Sequence, residues 1–309
     1  MTPSRDPDLR VDAELLLVTL IWGVNFSVVK SGLEQLHPLA FNALRFPLAG
    51  AVLLVLLRSR GPLTLPDRED VPRIVGLGLL GNVVYQLFFI YGIDRTLAGN
   101  ASLLLSTTPA WAIVLATLRG QERPGWRAWT GVAATVVGMV AVVLGGQQKV
   151  ALGGATLTGD LLAAGGAVIW AVYTVESRDL VRRYGALRLT AWTLWSGGLV
   201  LVAMGLPAVA GTGLASLPPG TWLEVGFAGV FAIAVAYVIW YRGVGQVGST
   251  RTAVYSNVVP VVALAVAWAW LGEQPTWLQV VGAVVVIGGM TLARLGEPEE
   301  ERPVSVPAE

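Results

Sequence analysis

The chain has 309 residues, of which 54% are hydrophobic and 13% charged, with a formal net charge of +1. Soluble domains carry roughly 25% charged residues, so this composition belongs to a membrane protein, and it offers no global field for nucleic acid. Cysteine is absent and His37 is the single histidine, which excludes disulfides, thiolate or histidine metal clusters and cysteine nucleophiles; neither a cofactor nor a metal nor enzyme chemistry is expected.

Residues 1–13 mix Arg5 and Arg10 with Asp6, Asp8 and Asp12 and lack a signal-cleavage pattern. They are expected to remain as a cytoplasmic segment, with the first hydrophobic helix kept in the mature protein. A membrane span takes about 20 mostly apolar residues. Ten such stretches follow, at 14–32, 39–58, 72–93, 101–118, 126–144, 160–176, 187–206, 222–241, 252–271 and 276–295. Breakers fill the connections, among them Gly61-Pro62, Pro66-Asp67, Gly145-Gly146 and Pro218-Pro219-Gly220. The tail 296–309, with Glu297, Glu299, Glu300 and Glu301 among prolines, has nothing to bury and is expected to be disordered.

Polar and aromatic residues recur at helical spacing inside these stretches. The first span carries Trp22, Asn25 and Phe26, the third Asn82, Tyr85 and Gln86, the sixth Trp170, Tyr173 and Thr174, and the seventh Trp192, Trp195 and Ser196. Each set falls on one stripe, and amides, hydroxyls and rings near mid-span are costly against lipid. The stripes should face the bundle interior, either as helix-to-helix glue or converging on an aromatic-walled solute pocket.

Arg45, about seven residues inside the second span, costs about 2.5–3.5 kcal/mol there unless paired or hydrated. A guanidinium facing a central cavity could grip a solute carboxylate with two parallel hydrogen bonds, with Asn42 one turn earlier on the same face. The alternative is that Arg45 snorkels to the headgroups or braces a neighbouring carbonyl. Pro109 and Pro260 each remove a ladder hydrogen bond near the middle of a span, beside Ser106 and Thr107 in one case and Ser256 and Asn257 in the other. The freed carbonyls could serve a solute, and the prolines could act as hinges or as static kinks.

Tyr237, Trp240 and Tyr241 at the end of the eighth span, and Trp126 and Trp277 after turns, read as an interfacial aromatic belt. Glu122 and Glu273 read as turn residues facing water. Gly131, Gly138, Gly282, Gly288 and Gly289 argue for close helix packing, which could extend to a homodimer face.

The chain repeats itself. A shift of 151 lays Pro109 on Pro260, Glu122 on Glu273, Pro124 on Pro275, Trp126 on Trp277, Gly131 on Gly282, Gly138 on Gly289 and Met139 on Met290 without a gap. The first halves match more faintly at a shift of 148, with Ile21-Trp22 on Ile169-Trp170. Two units of five spans, 14–146 and 160–295, follow. With the amino terminus cytoplasmic, seventeen arginines fall on that side and only Lys30, Arg95 and Lys149 on the other, so both termini are expected to be cytoplasmic. Five is odd, so the second unit enters the membrane inverted, which sets two equivalent bundles around a midplane site.

Ten spans in two repeats, Ile21-Trp22-Gly23, Arg45 in the second span, the Thr108-Pro109 and Val259-Pro260 steps and Leu271-Gly272-Glu273 before the last span together resemble the EamA-type proteins of the drug/metabolite transporter superfamily. The resemblance covers almost the whole chain. It implies an all-α membrane protein, a ten-helix basket of two inverted five-helix repeats that moves small metabolites, often amino acids and commonly outward, across a bacterial inner membrane. Related four-helix multidrug exporters carry a glutamate in their first span where this chain has Ile21-Trp22-Gly23.

The reading is a secondary carrier of small amphipathic solutes working by alternating access in the lipid bilayer. Asp160, Glu176 and Glu224 fall at span ends, so coupling to protons is expected to be weak or absent. The solute-binding residues are expected to be Trp22, Asn25, Asn42, Arg45, Asn82, Tyr85, Gln86, Ser106, Trp170, Tyr173, Trp195 and Asn257. An antiporter of phosphorylated sugars or nucleotides would want several converging basic residues, a membrane-embedded enzyme a buried catalytic pair, and a channel an unbroken polar pore.

Overall fold

The structure, a computed structural model, describes residues 6–120, 124–145, 155–247 and 255–295. Glu122 and the tail 296–309 lie outside these. Every described element is helical: α1 (Asp6–Gly32), α2 (Pro38–Ser59), α3 (Val71–Leu79), α4 (Tyr85–Arg95), α5 (Ala98–Leu105), α6 (Thr108–Leu118), α7 (Trp126–Leu144), α8 (Ala155–Tyr184), α9 (Ala186–Ala210), α10 (Pro219–Gly226), α11 (Ala236–Val247), α12 (Val258–Leu271) and α13 (Trp277–Leu295). Eight helices or helix runs are long and apolar enough to cross a membrane, and Val258–Leu271 and Trp277–Ala293 are shorter apolar helices. Their outer faces carry large apolar side chains, as with Leu199, Val137 and Val284. In lipid that is the favourable place for them.

Helix ends follow from local chemistry. α2 starts because Pro38 suits the first turn and the His37 ring accepts from the Leu39 N–H at 3.3 Å. α12 stops at Gly272, whose φ of +67° is the left-handed cap glycine adopts at no steric cost. Two spans are not uniform α-helix. α3 passes into α4 through a π-helical stretch at Leu80–Val84, and α10 into α11 through a longer one at Phe227–Val235. A π stretch widens the turn, so residues before and after it no longer share the face that regular spacing predicts.

Pro109 and Pro260 do not interrupt continuous ladders. Each lies in the first turn of its helix, α6 or α12, after a turn at Ser106–Thr107 or Ser256–Asn257, where the missing N–H leaves no intrahelical bond unmade. Pro47, by contrast, sits inside α2, which continues through it. A further difference concerns α8, which begins at Ala155, ahead of the expected 160, and so draws Asp160 inside the helix.

The principal helix contacts come in matching sets. α7 packs on α13, α2 on α9 and α5 on α12; α1 lies on α12 as α8 lies on α5 and α6, and α2 meets the second π stretch as α9 meets the first. The α7–α13 seam is made by glycine. A Cβ on Gly131 would stand 2.3 Å from the Ala293 nitrogen and 2.5 Å from the Gly289 carbonyl oxygen, and one on Gly138 would stand 2.7 Å from the Val286 nitrogen. Gly131, Gly138, Gly282 and Gly289 are thus used in close packing within the chain, and Gly288 alone of the five has open space where a Cβ would go.

Candidate functional site

Arg45 lies on α2 about two turns from Pro38, and its side chain is 1% exposed. It does not snorkel. Nε donates to Asn42 Oδ1 at 2.9 Å and Nη2 to Gln86 Oε1 at 2.8 Å, both neutral amide oxygens. The guanidinium carbon stands 5.4, 5.8 and 5.5 Å from the ring centres of Phe41, Phe46 and Phe89. Gly229 in the second π stretch lets that backbone close on α2 at this point, since a Cβ there would come 2.6 Å from the Arg45 carbonyl oxygen.

The physical consequence is a guanidinium whose burial is offset by neutral groups, with no counter-charge beside it among the described residues. Burying a cation costs several kcal/mol after relaxation. Hydrogen bonds to a charged group return about 1.5–3 kcal/mol each and desolvated cation–π contacts about 2. Among the described residues no carboxylate reaches Arg45, Nη1 has no acceptor, and Asn42 Nδ2 is buried without a partner. Both donors belong to side chains of α2 joined through the Nε–Oδ1 bond, and a free guanidinium N–H is a strong donor to an anionic oxygen.

Beside it runs a connected set of rings. Trp170 on α8 stands 4.6 Å from Tyr85, 4.9 Å from Tyr173 and 6.4 Å from Tyr237, measured between ring centres. Trp22 on α1 lies 6.0 Å from Tyr237 and 5.0 Å from Trp240, and its Nε1 donates to the Ala232 carbonyl in the second π stretch at 3.0 Å. Tyr85 leads to Phe89 at 5.8 Å and so to the ring under Arg45. Tyr173 closes the set against α9, its hydroxyl 3.2 Å from Thr193 Oγ1.

The expected residues therefore divide. Arg45, Asn42 and Gln86 meet in one cluster, and Trp22, Tyr85, Trp170 and Tyr173 in the adjoining rings. Asn25, on the stripe of Trp22, has a buried Oδ1 without a partner. The others make their contacts elsewhere. Asn82 lies within the first π stretch and packs beside Gly197. Trp195 donates to the Gly50 carbonyl at 3.2 Å in the α2–α9 seam, Ser106 bonds back to Leu103, and Asn257 donates to Thr291 on α13 at 3.1 Å.

Tyr237 and Trp240, at the end of their candidate span, also have ring partners within the bundle. α11 continues to Val247, and on it Tyr237 faces Trp22 and Trp170 while Trp240 faces Trp22. Their shared helical spacing was the signal. Glu273 is also more than a turn residue facing water: its carboxylate accepts the Ala98 and Gly99 N–H groups at 2.8 and 3.1 Å, capping α5.

Comparison with known proteins places this geometry in a family. The profile described as the EamA-like transporter family matches residues 12–144 and again 157–295. A probable terminal-alkyne amino-acid exporter of Streptantibioticus cattleyicolor is 29% identical over 95% of this chain and 96% of its own. A probable amino-acid metabolite efflux pump of Salmonella typhimurium is 29% identical over 91% of this chain and 93% of its own. One crystal structure, at 21% identity, superposes with a TM-score of 0.65 over 93% of this chain and 96% of its own, a likeness of fold.

Proposed function

The chain belongs to the EamA-like transporter family, and from that premise we propose that it is a secondary carrier exporting small amphipathic solutes that bear a carboxylate, amino acids above all. It is a multi-pass membrane transporter rather than an enzyme. The observation that carries the solute class is Arg45, a buried cation whose partners are all neutral. A bound carboxylate supplies the missing charge and takes the spare Nη1 and Asn42 Nδ2 donors, while Trp22, Tyr85, Trp170 and Tyr237 receive the apolar part. Two relatives named for amino-acid export support the same class.

In this reading the units 14–146 and 160–295 are oppositely oriented modules that rock about a shared site, with both termini on the cytoplasmic face of the inner membrane. The matching helix contacts support the two-fold arrangement. The helix breaks before Pro109 and Pro260 are its flexing points. A phosphorylated sugar or nucleotide would want more than one buried cation, and Arg45 is the only buried arginine or lysine among the described residues.

Movement needs no proton gradient. Proteoliposomes loaded with an amino acid are expected to show counterflow at equal pH on both sides; uptake that appears only under an imposed gradient would refute the uncoupled reading. A second expectation concerns Gln86. Gln86→Glu sets a carboxylate against Arg45 and fills the place kept for the solute's own, so the same counterflow should fall at least about tenfold although the guanidinium is intact. Unchanged rates would separate Arg45 from the solute.

A further inference from the structure

We infer that Asp160 is a proton-binding site within a seal at the end of the bundle opposite the arginine-rich one, and that the seal loosens when the proton leaves. The seal is a chain of buried polar side chains drawn from both halves of the sequence. Thr96 Oγ1 and Asn100 Nδ2 donate to Asp160 Oδ1, and Gln279 Nε2 donates to Asn100 Oδ1 at 2.6 Å. Gln279 is held in turn by the Thr276 N–H at 2.8 Å, and Thr276 Oγ1 donates to the Gly145 carbonyl at 2.7 Å. Asp160, Thr96, Asn100 and Gln279 are all 3% exposed or less. Parting the halves at this end breaks the Asp160 and Gln279 links together.

The geometry at Asp160 leaves one carboxyl oxygen open to carry a proton. Both donors land on Oδ1, and Oδ2 has none among the described residues. An ionised carboxylate has two equivalent acceptor oxygens, whereas an acid has one carbonyl oxygen that accepts and one hydroxyl that carries the proton. Burial away from water also favours the neutral form unless a cation stands near.

None does. Lys30 is spent on the carbonyl oxygens of Ile93, Asp94 and Thr96 at 2.8, 3.0 and 2.7 Å. Arg95 lies over the Tyr91 ring, Asp94 is on the same turn, and Glu273 is engaged with the N–H groups of α5. α3 and α6 bring Arg73 and Arg119 only to the far end of α8, at Asp179 and Glu176, and Arg188, the one charge on α9, follows that far end.

The proton comes from water on the seal's own side and returns there when the carboxyl is hydrated on opening. It sets how readily the seal opens without crossing the membrane, which agrees with counterflow that needs no gradient. Low pH on that side holds the seal shut, and rising pH releases it.

The chain has no cysteine, so a single introduced thiol reports cleanly. Ala101→Cys sits at a position 0% exposed, directly after Asn100, and Ala215→Cys in an exposed loop serves as reference. Both are labelled in proteoliposomes, without solute, by an impermeant maleimide applied to the face from which Ala215→Cys reacts. The ratio of the Ala101→Cys rate to the reference rate is expected to rise with pH, by up to about tenfold per unit for one linked proton. Asp160→Asn should flatten the profile at its low-pH level, and Asp160→Ser, which cannot titrate, should flatten it as well. A flat profile with Asp160 present, or an unchanged slope in either variant, overturns the proposal. Because no solute is present, neither result bears on Arg45.

Discussion

Arg45→Gln is expected to lower transport of carboxylate-bearing solutes by roughly ten- to a hundredfold while leaving neutral analogues near their original rate. The figure follows from the chemistry of the contact, because a hydrogen bond to a charged partner is worth about 1.5–3 kcal/mol and each 1.4 kcal/mol is a factor of ten. Glutamine keeps an amide donor but removes the charge and the second arm of the fork. It also gives up the three ring contacts, so thermal melting in detergent is read beside transport to show that the variant is folded. Counterflow of an amino acid set against its amide in the same vesicles separates the two outcomes. Equal losses for both would mean that Arg45 braces α2 against Gln86 and does not meet the solute.

The largest effect on folding is expected at the α7–α13 seam. Gly131→Val puts a branched side chain where the nearest atoms are the Ala293 nitrogen at 2.3 Å and the Gly289 carbonyl oxygen at 2.5 Å. Those are backbone atoms and cannot swing away, so two helices must move apart along their length. Overpacking of this kind typically costs 1–3 kcal/mol, and a backbone-to-backbone seam should stand at or above about 3 kcal/mol. Thermal melting in detergent, with recovery of monodisperse protein, reads the loss. Gly288→Ala, with nothing within 4 Å of the added carbon, is the control and should melt no lower than the parent.

Much of the fold is legible in the order of residues because lipid imposes one rule, that apolar runs of sufficient length become helices. Arg45 is legible for the same reason, as a charge that interrupts such a run. What escapes is where regular spacing stops applying. The stripe Asn82, Tyr85 and Gln86 assumes an unbroken ladder, and the π stretch at Leu80–Val84 sends Asn82 to Gly197 while Gln86 reaches Arg45. Tyr237 and Trp240 close the eighth span as expected, but their ring contacts to Trp22 and Trp170 come from distant helices that local spacing does not name. Asp160 is underestimated because α8 starts earlier than its apolar run. Glu273 bonds to residues far away in the chain, and no local pattern announces such a partner.

The contacts between α7 and α13 are reciprocal. Gly131 meets Gly289 and Ala293, and Gly282 meets Gly138 and Val142; the shift of 151 exchanges one set for the other. Residue for residue, that is how two identical surfaces join around a dyad. A single ancestral module bearing α7 would already have possessed a face fitted to its own twin, so fusion of two genes would have had only to tether partners that could already associate.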